Sequence, residues 1–190
     1  MCGRYNFSSY TTDEKLSALI RLLERRFPGV CKTGEIGPGD TAPAVICRQG
    51  KLVPVPAVFG FPGFRQGRLL INARSETAAE KPAFAGSLRQ RRIILPASGF
   101  YEWGRDAAHT KYLFQLAEQR TVYLCGLYRQ IGEELRFVIL TRAANASILA
   151  THDRMPVIAA EDEVRPYLTD ADAAAALLAA PGPKLQRQPA

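Results

Sequence analysis

Two histidines, His109 and His152, and one tryptophan, Trp103, are all that 190 residues contain of these types. The four cysteines, Cys2, Cys31, Cys47 and Cys125, include no C-x-x-C pair and form no cluster with a histidine. The ligand spacing of a zinc site is therefore missing, and neither a metal nor another cofactor is expected. Cys47 and Cys125 fall inside apolar, strand-like runs and read as core thiols. No apolar run approaches the roughly 18 residues of a membrane-spanning helix. Nor does an apolar stretch follow Met1-Cys2-Gly3-Arg4, so no secretory signal is visible and the chain is read as cytoplasmic.

What is present fits one soluble domain. A hydrophobic fraction of 47% over 190 residues is enough to bury a core without disulfides or metal. Basic residues outnumber acidic ones by 25 to 18, giving +7, and lysine supplies only Lys15, Lys32, Lys51, Lys81, Lys111 and Lys184. Arginine forks match phosphate oxygens in pairs and stack on bases, so the bias leans towards nucleic acid. An arginine-favouring genome produces the same bias, so charge alone does not choose.

Thr11 followed by Glu14 has capping-box form, and Leu16, Leu19, Ile20, Leu23 and Phe27 then repeat on one helical face. Glycine and proline density makes residues 28–43 a loop. Strand-like segments follow at 44–48, 52–61, 69–73, 92–103, 111–116, 122–129 and 135–141, several divided by short turns such as Gln49-Gly50. Shorter helices are predicted at 77–84, 145–150, 161–168 and 172–180. Residues 1–180 form one α+β domain with a mixed, barrel-like sheet, and 181–190 read as a flexible tail.

Chemistry concentrates at four places. When Met1 is removed, as it is before a small second residue, Cys2 carries an α-amine and a thiol on adjacent carbons. Their ordinary pKa values, about 7.7–8.0 and about 8.5, leave both partly reactive near neutrality. An aldehyde meeting the pair forms an imine and then closes a five-membered thiazolidine. Asn72 lies in Asn72-Ala73-Arg74-Ser75-Glu76-Thr77, where a strand gives way to a helix. Glu102 sits among aromatics in Ser98-Gly99-Phe100-Tyr101-Glu102-Trp103, and His152 opens His152-Asp153-Arg154-Met155-Pro156. Each also has an ordinary structural role: Asn72 as a turn former, Glu102 as a strand-face carboxylate, His152 as a capping or core side chain.

In order and spacing these segments, with Met1-Cys2-Gly3-Arg4, resemble the SOS-response-associated peptidase family over nearly the whole chain. Its members include abasic-site-processing proteins that crosslink to DNA. The resemblance implies a sensor of abasic sites in single-stranded DNA that forms a thiazolidine crosslink through Cys2, with a self-processing peptidase activity also proposed for the family. It makes Cys2 the nucleophile, Asn72 the active-site asparagine, Glu102 the acid/base and His152 the histidine, and it sets Arg4, Arg74 and Arg154 on DNA phosphates. The family's Trp-Gly, Pro and further tryptophans are replaced here by Phe59-Gly60-Phe61-Pro62-Gly63-Phe64-Arg65, so Phe64 and Arg65 stand where an aromatic wedge grips DNA. A monomer that joins the nucleoid when acting on DNA is implied as well.

Tyr101 and Trp103 are expected to desolvate Glu102 and fit it for proton transfer. Two other readings remain open at this stage. An N-terminal-nucleophile amidohydrolase shares Cys2 but gives no role to His152 or the arginines. A non-covalent reader of modified DNA uses the basic groove and ignores the thiol.

Overall fold

The computed structural model describes residues 2–8, 14–63, 67–105 and 107–190. The chain opens with β1 (Arg4–Phe7), α1 (Glu14–Arg26), β2 (Gly34–Ile36), β3 (Thr41–Arg48) and β4 (Lys51–Phe59). Then come β5 (Phe61–Pro62), β6 (Leu69–Leu70), β7 (Asn72–Arg74), α2 (Ala85–Gln90), β8 (Arg92–Ala97) and β9 (Gly99–Trp103). The rest is β10 (Lys111–Gln115), β11 (Val122–Ile131), β12 (Glu134–Ala143), β13 (Arg154–Pro156), β14 (Ile158–Ala159), α3 (Val164–Thr169), α4 (Ala171–Ala179) and β15 (Gln186–Pro189).

Local rules explain much of this. Gln49 and Gly50 take φ of 51° and 74°, the paired positive values a two-residue hairpin needs, and set Arg48 opposite Lys51. Asp170 caps α4 by accepting from the N–H groups of Asp172 (2.8 Å) and Ala173 (3.0 Å).

The strands close on themselves. β3 pairs with β4 and β8, β8 with β11, β11 with β12, and β12 returns to β4 in parallel. β8 is buried on both faces, which is why Ile93–Ala97 reads as an unbroken apolar run. Ile93, Leu95, Phe137 and Ile139 point to one side, where they meet Tyr5, Phe7, Phe100 and Phe114. Ile94, Cys125, Val138 and Leu140 point to the other, beneath Tyr167, Leu168, Ala174 and Leu177 of α3 and α4. A second sheet, in the order β15-β10-β9-β1-β2, lies against the first side. Phe59 stacks on Phe137 at 4.8 Å and Tyr5 meets Phe59 edge-on at 6.2 Å, joining the sheets through aromatic contacts.

The expected α+β class and barrel-like mixed sheet are therefore found, with local differences. The run 92–103 divides at Ser98: β8 belongs to the ring and β9 to the second sheet. Ser98 donates from its backbone to Asn6 O (2.8 Å), and Gly99 lets Phe114 O come within 2.5 Å of where a Cβ would stand. Residues 77–84 form turns, and the helix begins only at Ala85, after Pro82, which lacks an N–H. Of residues 145–150, 146–150 are also turns, because Asn145 Oδ1 accepts from Ser147 N (3.0 Å) and Oγ (2.6 Å) in competition with a helical ladder. The 28–43 loop contains β2 and the start of β3. The tail expected to be loose contains β15: its side chains are exposed, but its backbone continues the sheet beside β10. The cap expected from Thr11 lies outside the described residues.

The ring tolerates no side chain at Gly126, whose added Cβ would stand 2.6 Å from Val138 O and 3.0 Å from Ile93 Cγ2. Gly126→Ala is expected to destabilise the fold by about 1–3 kcal/mol, read as a lower Tm in calorimetry. An unchanged Tm would mean the ring opens there at little cost.

Candidate active site

The site is assembled on β1 and its neighbours. β1 is held on one side by β9, with Arg4 opposite Tyr101, and on the other by β2, with Tyr5 opposite Ile36. This double pairing draws Cys2 into the core, where it is fully buried and its S–H points to Arg4 O at 3.9 Å. Burial, and then the Glu102 carboxylate, push the thiol far above its usual range, so it rests protonated.

Asn72 reaches the same point from the ring. β7 runs parallel to β12, setting Asn72 beside Ile139. From there Nδ2 donates to Cys2 O at 3.0 Å and lies 3.5 Å from Ile139 O. Both neighbours are carbonyls, so the amide can face only one way. Asn72 Oδ1 is buried and has no hydrogen-bond partner among the described residues. An unpaired buried acceptor costs about 1–3 kcal/mol, so a donor brought by a ligand would be favoured there.

Glu102 is 3% exposed. The sequence expectation about its surroundings needs correction: Tyr101 and Trp103 do not bury it. Neighbours along a strand point to opposite faces, so Phe100 and Glu102 turn inward while Tyr101 and Trp103 turn out. Burial against the interior raises the Glu102 pKa, and the charge of nearby His152 works in the opposite direction. On the outer face, Lys111 Nζ lies 4.1 Å from the Tyr101 ring and 5.7 Å from that of Trp103. It also pairs with Glu35, which accepts from Arg4 Nη1 at 2.8 Å.

His152 follows the 145–151 turn. Its Nδ1 lies 2.9 Å from the Arg154 backbone N–H and 2.9 Å from Asp153 Oδ1. The backbone donor requires a lone pair on Nδ1, which leaves the neutral ring's proton on Nε2, whereas protonation would favour Asp153. Arg154 grips Glu76 with both nitrogens, at 2.7 and 2.8 Å, and donates to Thr141 O at 2.7 Å. This fork ties β13 to the turn after β7, holding the His152 and Asn72 segments together.

Cys2, Asn72, Glu102 and His152 are thus brought to one place from four distant parts of the chain. The predicted phosphate contacts fare differently. Arg74 is exposed and forms no ion pair among the described residues, whereas Arg4 and Arg154 are engaged with Glu35 and Glu76. Phe64 and Arg65 lie outside the described residues. Sequence reasoning passed over Glu76, Glu35 and Lys111, although Glu76 stands within a quoted motif. Among the described residues no three His, Cys, Asp or Glu side chains group to hold a metal, and no helix is long and apolar enough to cross a membrane.

Comparison with known proteins gives a consistent picture. The family model described as SOS response associated peptidase matches residues 1–188. The abasic site processing protein YoaM of Bacillus subtilis is 38% identical over 109 residues, covering 54% of this chain and 48% of that one. The abasic site processing protein YedK of Escherichia coli is 27% identical over 177 residues, covering 88% and 79%. The matched stretch spans about half the length of the Bacillus relatives. Two crystal structures, of proteins from Bacteroides thetaiotaomicron and Bordetella bronchiseptica, superpose with TM-scores of 0.77 and 0.77 at 19% and 18% identity. They cover 98% and 100% of this chain, and 90% and 99% of their own chains. At that identity the likeness speaks for the fold.

The Glu76–Arg154 fork generates a pH dependence. Hydrogen bonding from Arg154 lowers the Glu76 pKa to about 2. A carboxylate whose pKa is depressed on folding contributes stability above its unfolded value, lost as pH falls through the folded one. Wild type should therefore lose stability between about pH 4.5 and 2, and Glu76→Gln should flatten that part of the curve. Fluorescence of Trp103, the single tryptophan, can follow acid unfolding. Parallel curves would remove the fork from the account.

Proposed function

Because the chain belongs to the SOS response associated peptidase family, we propose that it processes abasic sites in single-stranded DNA, bonding the opened sugar through Cys2 once Met1 is removed. The carrying observation is the 3.0 Å hydrogen bond from Asn72 to the Cys2 carbonyl. It holds the residue that bears both nucleophiles beside Glu102, whose carboxylate acts on the thiol and is itself acted on by His152. The names of the Bacillus and Escherichia relatives favour abasic sites as what it acts on.

The chemistry balances with the groups at hand. The Cys2 amine adds to C1′ of the ring-opened sugar, forming an N–C bond and a carbinolamine. Protonated Glu102 gives its proton to the departing hydroxyl, water leaves, and an iminium remains. The Glu102 carboxylate then takes the proton of the Cys2 thiol while sulfur bonds to the same carbon, closing the thiazolidine. Glu102 ends as it began, one water is released and nothing is oxidised. The thiol's raised pKa suits this order, since it acts only after a base has been generated beside it. The raised Glu102 pKa keeps the acid form available further into the working range. His152 Nε2–H is suited to donate to the sugar oxygen as the ring opens. Of Arg4, Arg74 and Arg154, Arg74 is best able to take a phosphate, because Arg4 would first have to leave Glu35 and Arg154 to leave Glu76.

Cys2→Ala is expected to abolish the durable adduct on an abasic single-stranded oligonucleotide while leaving an imine that borohydride traps. A denaturing gel reads both, and durable wild-type levels of adduct in the variant would remove the thiol from the bond. An amidohydrolase would instead turn over amide substrates and form no such adduct.

Glu102→Gln should slow adduct formation by about 10²–10⁴-fold with DNA affinity nearly unchanged. The wild-type rate should fall as pH rises through the raised Glu102 pKa, because the acid form is lost. A variant rate matching wild type would exclude Glu102 from proton transfer.

Arg74→Ala should weaken binding to all single-stranded sequences and reduce the log–log salt slope by roughly 0.7. An unchanged slope would place the phosphates elsewhere.

A further inference from the structure

The turn that delivers His152 is fastened by a segment far along the chain. Asn145 Nδ2 donates to the carbonyls of Gly182 and Pro183, each at 2.9 Å. The Leu185 N–H donates to Ser147 Oγ at 3.1 Å, and Arg187 Nη1 to Thr151 Oγ1 at 3.0 Å. Thr151 is 1% exposed and immediately precedes His152. The His152 backbone N–H in turn donates to Ile148 O at 2.9 Å, so the turn runs into the His152 backbone as one hydrogen-bonded unit.

The same segment also touches the strand beside Glu102. β15 pairs with β10, setting Arg187 opposite Phe114, and β10 sets Tyr112 opposite Glu102. Residues two apart share a strand face, so Arg187, Phe114, Tyr112 and Glu102 face the same side. The Arg187 guanidinium covers the Tyr112 ring at 4.8 Å from its centroid. Arg187 therefore spans from the sheet that carries Glu102 to the turn that carries His152. It does so from a strand whose own side chains are exposed and add little apolar burial. Such a strand contributes position more than stability.

We propose that Arg187 is a positioning residue: through Thr151 it sets the His152 imidazole relative to Glu102, making β15 part of the site's working geometry. Its catalytic consequence rests on the function proposed above. Its structural content does not.

The test uses Arg187→Ala, Arg187→Lys, Thr151→Val and a chain lacking residues 186–190. His109, an exposed residue, is replaced by Gln throughout so that His152 gives the single imidazole signal. In DNA-free protein, the His152 ring ¹⁵N signals should move from their wild-type positions in Arg187→Ala, Thr151→Val and the shortened chain. Tm should change little, and Arg187→Lys should recover much of the wild-type spectrum because an ammonium can also donate to Thr151. On abasic single-stranded DNA the adduct rate should fall by roughly 10- to 100-fold, since small misplacements at a reacting centre cost that much. A wild-type His152 spectrum in both Arg187→Ala and the shortened chain overturns the proposal. So does an altered spectrum with an unaltered rate. If the wild type itself forms no adduct, the proposed function fails, and the His152 spectra alone decide whether Arg187 positions the ring.

Discussion

The structure depends on the capture of its first residues by two strands at once. Ordering backbone costs about 1–2 kcal/mol per residue, and chain ends ordinarily fray. β1 is only 4 residues long, yet it pairs with β2 on one side and β9 on the other. Tyr5 and Phe7 sink into the core between the sheets, and Tyr5 meets Phe59 edge-on. That burial offsets the ordering cost and leaves Cys2 held by its neighbours. Without it Asn72 would have no carbonyl to grip, and Glu102 would have no thiol beside it.

Capture creates an electrostatic demand. A buried carboxyl and a buried thiol both favour their neutral forms, because an isolated charge is expensive away from water. Glu102 and Cys2 are both shifted in that direction, with burial the leading cause. The fully charged groups sit towards the rim and are matched there: Arg154 with Glu76, and Arg4 and Lys111 with Glu35. A near-neutral interior within a charged border suits chemistry in which protons move and no free charge need persist. Among the described residues the pairings leave Arg74 without an ion pair two residues from Asn72, in a chain carrying +7 overall.

The fold was legible wherever local rules act alone. Gln49-Gly50 announces a two-residue turn, and the short apolar runs bounded by turn residues announce β11 and β12. Legibility failed where one residue redirects the chain. Ser98 and Gly99 divide a continuous apolar run between two sheets, which periodicity cannot reveal because the run is buried on both sides of the break. Asn145 turns a helix-like stretch into a turn through its own side chain. The tail reads as loose because its side chains are polar, yet a backbone ladder is indifferent to side-chain polarity and β10 had an edge to offer.

The candidate site divides along the same line. Sequence alone supplied the kinds of group and their order: an amine and thiol at Cys2, an amide at Asn72, a carboxyl at Glu102 and an imidazole at His152. Strand alternation even contained the information that Tyr101 and Trp103 face away from Glu102. Only the tertiary structure decided that these residues meet, that Arg154 is occupied by Glu76, and that Arg187 fastens the His152 turn. The reason is physical: residue type and period are properties of a short stretch of chain, whereas convergence and burial depend on which distant strands share an edge.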